Sequence, residues 1–164
     1  MNSWEKWGFH ADWWRNQRGE YWVIAQAVLS LGFVLLPVMP MSALPVGVRA
    51  TGAILLALLA LGLGVGGLVA LGENLTPLPH PRDDGSLIQT GAYRWVRHPI
   101  YSSVICLALA YACWRMSVTH ALGVMILFIF FDRKAAREEQ WLTAKFPEYS
   151  QYQQAVKKLI PGVY

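Results

Sequence analysis

The chain has 164 residues, of which 55% are hydrophobic and only 15% charged, with eight tryptophans and a mean hydropathy of +0.32. That balance excludes an ordinary soluble domain of this length and indicates a membrane protein. The net charge of +4 would suit nucleic acid, but the basic residues flank apolar segments and form no separate basic domain, so charge on cytoplasmic loops accounts for it.

The N-terminal stretch MNSWEKWGFHADWWRNQRGEYW is aromatic and mixed in charge, without the basic start, apolar core and small-residue cleavage site of a secretory signal. A first apolar run extends from Trp22 to about Met39, closed by Pro37 and Pro40, and a second from about Val46 to Leu71. Each is long enough to span a bilayer. The second contains Gly62, Gly64, Gly66, Gly67 and Gly72, and its small-xxx-small pair, Gly62 and Gly66, reads as a helix-packing device. Two shorter runs follow, Ile100 to Trp114 and Val118 to Phe131. At ~1.5 Å per residue each reaches about 22 Å, short of a ~30 Å hydrocarbon core. They are expected to form a tight helical hairpin turning at Arg115-Met116-Ser117. Their polar flanks then lie at membrane depth, where irregular backbone survives only if protein buries it or it lines a cavity. Cys106 and Cys113, seven apart on apolar sequence, read as small buried hydrophobes with no redox role.

The expected fold is therefore all-α, a single polytopic membrane domain over residues 1–164, with about four transmembrane helices and C-terminal cytoplasmic helices. Lys and Arg number three in the N-terminal segment, three in the central loop (Arg82, Arg94, Arg97) and six in the tail, leaving only Arg49 and Arg115 on the other side. Twelve against two places both termini and the central loop in the cytoplasm.

That central loop ends in GAYRWVRHPIY, which crowds two arginines, a histidine and two tyrosines against the start of the third apolar run. Pro99 has a fixed φ and no amide hydrogen, so the third helix should start there, with His98 extended before it. The free amides of Ile100, Tyr101 and Ser102, with the charge of Arg97, would then suit a carboxylate or phosphate. In the tail, DRKAAREEQWLTAKFPEYSQYQQAVKKLIPGVY, the first part can continue the fourth helix to Pro147 and carry Glu138 and Glu139 back toward the central loop. Beyond Pro147, Tyr149, Tyr152, Val156 and Leu159 mark one face of an amphipathic helix expected on the membrane surface.

Taken together, GxYRxxRHPxY, a short hairpin, and RxxREExxLxxxFPEYxxYxxxVxxLIP resemble the integral-membrane methyltransferases that include isoprenylcysteine carboxyl methyltransferase and the phospholipid methyltransferases. The upstream NLTPLPHP and GSLIQTG stretches are similar too, and the resemblance covers about Glu73 to Pro161. It implies S-adenosylmethionine as methyl donor, held between the RHPxY loop and the glutamates after the last span. Carried over by position, it implies that Leu87, Ile88, Tyr93, His98, Pro99 and Tyr101 wall the cofactor and that Glu138, beside Glu139, binds a polar group on it. The family's substrate-side basic residue falls at Arg133 or Lys134. Arg97 and Arg133 are the residues expected to act at the reacting groups, Arg97 through the cofactor carboxylate. No metal is needed, because methyl transfer from a sulfonium is an in-line displacement that requires positioning and exclusion of water.

The acceptor implied is a lipophilic or small molecule, a prenylcysteine-like carboxylate, a lipid amine or a thiol, entering from the surrounding membrane lipids. No nucleic acid and no obligate protein partner is expected. Two other readings stand beside this one, a non-catalytic membrane scaffold or ligand carrier and a nicotinamide-dependent membrane reductase.

Overall fold

The computed structural model describes residues 12–41 and 44–164, so Lys6 and His10 lie outside the described residues. Five helices are found among the described residues: α1 (Glu20–Val34), α2 (Val46–Leu71), α3 (Pro99–Arg115), α4 (Val118–Lys145) and α5 (Tyr149–Ala155). Short 3-10 turns cover Trp13–Arg15, Gly72–Asn74 and Gly91–Arg94, and extended pairing among these residues is confined to two isolated bridges, Pro40 with Ser117 and Val96 with Lys157. The chain is thus all-α, as its composition implies.

One continuous helical stretch, Val46–Asn74, is long and apolar enough to cross a membrane. Its flanks agree with the sequence reading, whereas α1 stops at Val34, well short of Met39. Pro37 explains the early stop, since it lacks an amide hydrogen and disfavours helical backbone at the residue before it. The chain then runs extended across the α3–α4 turn. The Met39 amide donates to Ser117 Oγ (3.2 Å), Val118 N to Met39 O (2.9 Å) and Met41 N to Met116 O (2.7 Å). The turn itself lies where expected, with Met116 left-handed at φ 44° and Ser117 extended.

The fourth helix has 28 residues, about 42 Å in length, and so continues well past the apolar segment that ends at Phe131. It ends where Phe146 turns extended before Pro147. The tail departs from expectation. Instead of an amphipathic surface helix from Tyr149 to Leu159, α5 has only seven residues and Val156 is already extended. Tyr149, Tyr152 and Leu159 are buried against the protein, at 1%, 5% and 2% exposure, and are not turned toward a membrane surface.

The buried core is small: Phe33 of α1, Ala108 of α3, and Leu127 and Phe131 of α4, flanked by Tyr101, Val104 and Tyr111. The outside is apolar instead, with Leu55, Leu58, Leu61 and Val69 of α2 all more than half exposed. So much exposed hydrocarbon surface is foreign to a monomeric soluble protein and suits a lipid solvent.

α2 packs along α3, and its glycines set how closely. A Cβ on Gly67 would meet Ile100 Cγ1 at 3.0 Å and Pro99 Cγ at 3.1 Å, and one on Gly64 would meet Ser103 Oγ at 2.6 Å. Gly62, expected as half of the packing pair, faces open space. The close approach therefore belongs to Gly64 and Gly67, which let the first turn of α3 sit directly on α2. Gly67→Leu is expected to push Pro99 and Ile100 away and cost about 1–3 kcal/mol by overpacking, read as a lower unfolding temperature in detergent. Gly62→Leu should change stability by less than about 0.5 kcal/mol.

Candidate active site

The GAYRWVRHPIY segment folds as a 3-10 turn, Gly91–Arg94, followed by an extended link into α3. Gly91 takes φ +60°, and a Cβ there would lie 3.1 Å from Ala70 Cβ, so the loop is laid tightly against the end of α2. Pro99 occupies the first turn of α3, as its missing amide hydrogen favours.

The extended link is paired by the tail. Arg97 N donates to Lys157 O (2.8 Å) and His98 N to Lys158 O (3.1 Å), while Ser102 Oγ donates to Leu159 O (2.6 Å). Lys158 is pinned in turn by Asp132 Oδ1 at 2.7 Å. Backbone that the sequence could only require to be covered is covered by residues 156–159.

At the centre lies Glu139. Its Oε1 accepts from Arg97 Nε (2.8 Å) and contacts His98 Nε2 (3.1 Å), and its Oε2 accepts from Gln153 Nε2 (3.1 Å). Arg97 also donates through Nη1 to the carbonyls of Gln153 (3.1 Å) and Val156. Both charged side chains are only 9% exposed. Burial opposes ionisation of Glu139, but the hydrogen bonds and charges of His98 and Arg97 outweigh it and hold its carboxyl down at about 2. The anion site expected at the start of α3 is therefore not formed as drawn from the sequence. The guanidinium of Arg97 faces Glu139 and tail carbonyls, and the Ser102 amide is bonded to His98 O at 3.0 Å.

Glu138, the next residue, turns the other way, because consecutive helical residues lie about 100° apart. Its Oε2 accepts from the Tyr101 hydroxyl at 2.7 Å and lies 3.7 Å from His98 Nδ1. The His98 ring stacks parallel on Tyr101 with centroids 5.3 Å apart, so one imidazole stands between both glutamates.

Glu138 opens into a cleft with a free volume of about 90 Å³. Residues 74–88 form one wall, Tyr93 and Arg97 a second, Leu142 and Phe146 a third, and Tyr149 and Tyr152 close the end. Of the residues singled out in the sequence, Leu87, Ile88, Tyr93, Arg97 and Glu138 line this cleft, while His98, Pro99, Tyr101 and Glu139 stand behind its wall. Arg133 is exposed on α4. Lys134 points inward instead, 2% exposed, with Nζ 2.6 Å from Gln26 Oε1 and 4.9 Å from the Tyr101 ring centroid. Burial lowers Lys134 to about 8, against the opposing pull of Glu138.

Two contributors were not recognised in the sequence. Gln153 carries no motif signal. Tyr149 was read as part of a membrane-facing stripe, yet its hydroxyl is buried at the cleft with no hydrogen-bond partner. Burial raises Tyr149 well above the usual phenol range, with Glu139 and Glu138 adding to the shift, so it stays a donor. The Tyr152 hydroxyl donates to Tyr93 O at 2.6 Å and fixes the loop from the tail side.

The wall of residues 74–88 is clasped from outside. Arg18 pairs with Asp83 at 2.5 Å, Lys145 Nζ donates to the carbonyls of Arg82 and Asp83, and Asn74 Oδ1 accepts from Ser86 N at 2.8 Å. The Asp83 side chain is 71% exposed, and pairs of that kind contribute little.

Glu139→Ala is expected to cost about 3–5 kcal/mol at neutral pH, since it leaves Arg97 buried without its counter-ion. Because the folded Glu139 titrates at about 2 against 4.5 for an ordinary glutamate, its contribution is fully present above pH 4.5 and is lost as pH falls toward 2. Unfolding temperatures of wild type and Glu139→Ala measured from pH 7 to pH 3 should therefore converge at the acid end.

A profile of the isoprenylcysteine carboxyl methyltransferase (ICMT) family matches residues 53–144. Among solved structures, the chain is similar to one described as the eukaryotic intramembrane Ras methyltransferase ICMT (isoprenylcysteine carboxyl methyltransferase) without a monobody, at 17% identity and a TM-score of 0.65. That likeness, which concerns the fold, covers 94% of this chain and 54% of the other, so the chain spans about half the length of that relative. No curated protein matches it in sequence.

Proposed function

Because the chain belongs to the isoprenylcysteine carboxyl methyltransferase family, we propose that it is a membrane-embedded methyltransferase that uses S-adenosylmethionine and acts on a lipophilic or small acceptor. The observation that carries this reading is the presentation of the Glu138 carboxylate into a cleft walled by Leu87, Ile88 and Tyr93 and ended by the unpartnered Tyr149 hydroxyl.

The residues present fit such a cofactor. Glu138 keeps acceptor capacity beyond its bond from Tyr101 and would take an ammonium or ribose hydroxyl, and Tyr149 would donate to an acceptor on the same ligand. Leu87, Ile88 and Tyr93 would cover its apolar parts. Arg97, in the wall itself, and His98, behind it, would act as positioning groups through Glu139 and Tyr101. The free volume of about 90 Å³ is below the ~300 Å³ usual for a bound small molecule, so the cleft would widen when the cofactor enters.

The cofactor supplies an electrophilic methyl on sulfur, and the chain's task is alignment and exclusion of water. Lys134, beside Tyr101 and inward of Arg133, is the better-placed cation for the acceptor side. In its charged form it would pair with a carboxylate, and at about 8 it could take the proton from an amine near neutral pH. We further propose four spans with both termini cytoplasmic, the side from which the donor is supplied.

Calorimetric titration separates this reading from a scaffold and from a nicotinamide-dependent reductase. S-adenosylhomocysteine should bind in the micromolar range, about 8 kcal/mol, and NADPH should give no heat. A folded sample with no response to S-adenosylhomocysteine overturns the methyltransferase assignment. Glu138→Ala should weaken that binding at least tenfold, since losing a hydrogen bond to a charged group costs ~1.5–3 kcal/mol, while the unfolding temperature stays close to wild type.

Orientation is tested by cysteine labelling in a background lacking Cys106 and Cys113. Cysteines placed at the exposed positions Ser86 and Ser150 should react from the cytoplasmic side, and one at exposed Met39 from the other. Reaction of Ser86 and Ser150 from opposite sides would be incompatible with a common cleft.

A further inference from the structure

Among the described residues there is a cavity larger than the cleft beside Glu138. It has a volume of about 560 Å³ and lies between α1, α2 and α3, at the end of the bundle away from Glu138. Its walls include Phe33 and Val34 of α1, Ile54 and Ala57 of α2, and Tyr111 and Trp114 of α3. Val34, Ile54 and Leu107 on its rim are 59%, 58% and 57% exposed, so it opens sideways to whatever surrounds the helices. Along α3 it extends from Val104 to Trp114, about 15 Å at ~1.5 Å per residue, which is the depth of one leaflet of a ~30 Å core. In an integral membrane protein a cavity of that shape, lined by hydrocarbon, is filled by acyl chains.

The upper end of the cavity is polar in one specific way. Arg49, in the first turn of α2, holds its guanidinium 5.6 Å from the centroid of Trp114, and Arg115, at the end of α3, lies 5.6 Å from the ring of Tyr111 and donates to its hydroxyl at 3.1 Å. Both rings line the cavity. These are the two cations the charge count leaves on this side, and among the described residues no carboxylate pairs with either. Arg49 Nε is moreover buried without a hydrogen-bond partner. Two guanidiniums without a carboxylate partner, one of them with an unmet buried donor, stand by a slot one acyl chain deep. Such donors suit a phosphate diester, and their uncompensated charge favours a headgroup that is net negative.

We propose that this cavity is a binding site for an anionic glycerophospholipid of the leaflet opposite Glu138, its chain in the slot between α1 and α2 and its phosphate between Arg49 and Arg115. The inference rests on membrane embedding and not on the identity of the methyl donor. Residues of both α1 and α2 line the cavity, so the lipid would tie the two helices together there.

The test is native mass spectrometry of the full chain in detergent, supplemented with equal amounts of phosphatidylglycerol, phosphatidylcholine and diacylglycerol carrying the same chains. One phosphatidylglycerol per chain is expected, retained at least tenfold over diacylglycerol and ahead of phosphatidylcholine. Arg49→Gln combined with Arg115→Gln should bring the three toward equality, and Ala57→Phe, which fills the slot, should expel all three. S-adenosylhomocysteine affinity should be unchanged in both variants, because the substituted positions are remote from Glu138: Arg115 stands at the opposite end of α3 from Tyr101, and Ala57 lies about 15 Å along α2 from Gly67, which packs on Pro99. Equal retention of phosphatidylglycerol and diacylglycerol by wild type overturns the role of the arginines. Equal retention of phosphatidylcholine overturns the anionic assignment, and a lipid-free dimer gives the cavity to a second copy. These wild-type comparisons decide the matter even if a variant fails to fold.

Discussion

The buried carboxylate of Glu139 is the point on which the cleft depends. Three parts of the chain that share no regular secondary structure meet there: the link before α3 through Arg97 and His98, the long helix α4 through Glu139 itself, and the tail through Gln153. A buried ion pair is weak evidence of net stabilisation, because desolvation offsets most of the attraction. Its value here is geometric. A bidentate-capable guanidinium, an imidazole and an amide converging on one carboxylate admit few alternative arrangements, so the loop that walls the cleft is fixed relative to the helix that supplies Glu138.

Adjacent glutamates consequently have different fates. On α4 the step of about 100° between neighbours sends Glu139 into the protein and Glu138 to the cleft. His98 touches both, with Nε2 3.1 Å from Glu139 and Nδ1 3.7 Å from Glu138, and its parallel contact with Tyr101 aligns the hydroxyl that bonds Glu138. The histidine thus transmits the fixed position of the inner carboxylate to the outer one. This arrangement also separates two kinds of arginine. Arg97 is consumed inside the fold, whereas Arg49 and Arg115 at the far end have only aromatic faces and a hydroxyl to lean on.

Features of the chain set by local sequence were legible in it, and those set by distant pairing were not. The limits of α2, the start of α3 at Pro99 and the turn at Met116 follow from apolar length, proline chemistry and a short polar break, and the structure has all three. α1 was overextended because its apolar composition continues past Val34, although Pro37 already ruled out helix at its own approach. The tail misled more deeply. Tyr149, Tyr152, Val156 and Leu159 have a helical spacing, but the chain satisfies only the first two with helix and uses the others to reach the loop in extended form. Periodicity reports which residues are buried; it does not say against what. For the cleft, the loop motif points to Tyr93 and Arg97, which line it, and equally to His98, Pro99 and Tyr101, which stand behind its wall; the roles of Glu139 and Arg97 as mutual partners needed coordinates, since a separation of 42 residues leaves no mark in local pattern.

The pairing of residues 156–159 with residues 96–98 has a consequence for the order of assembly. Helices α1 to α4 are translated before that segment exists, and each can satisfy its own backbone bonds. The link between Val96 and Pro99 cannot, because the carbonyls that accept from Arg97 and His98 belong to Lys157 and Lys158. During synthesis the protein therefore passes through a stage in which its helices are made but the link that carries Arg97 into the cleft wall is unpaired. That link is fixed only in a late step, when the emerging tail supplies the carbonyls of Lys157 and Lys158.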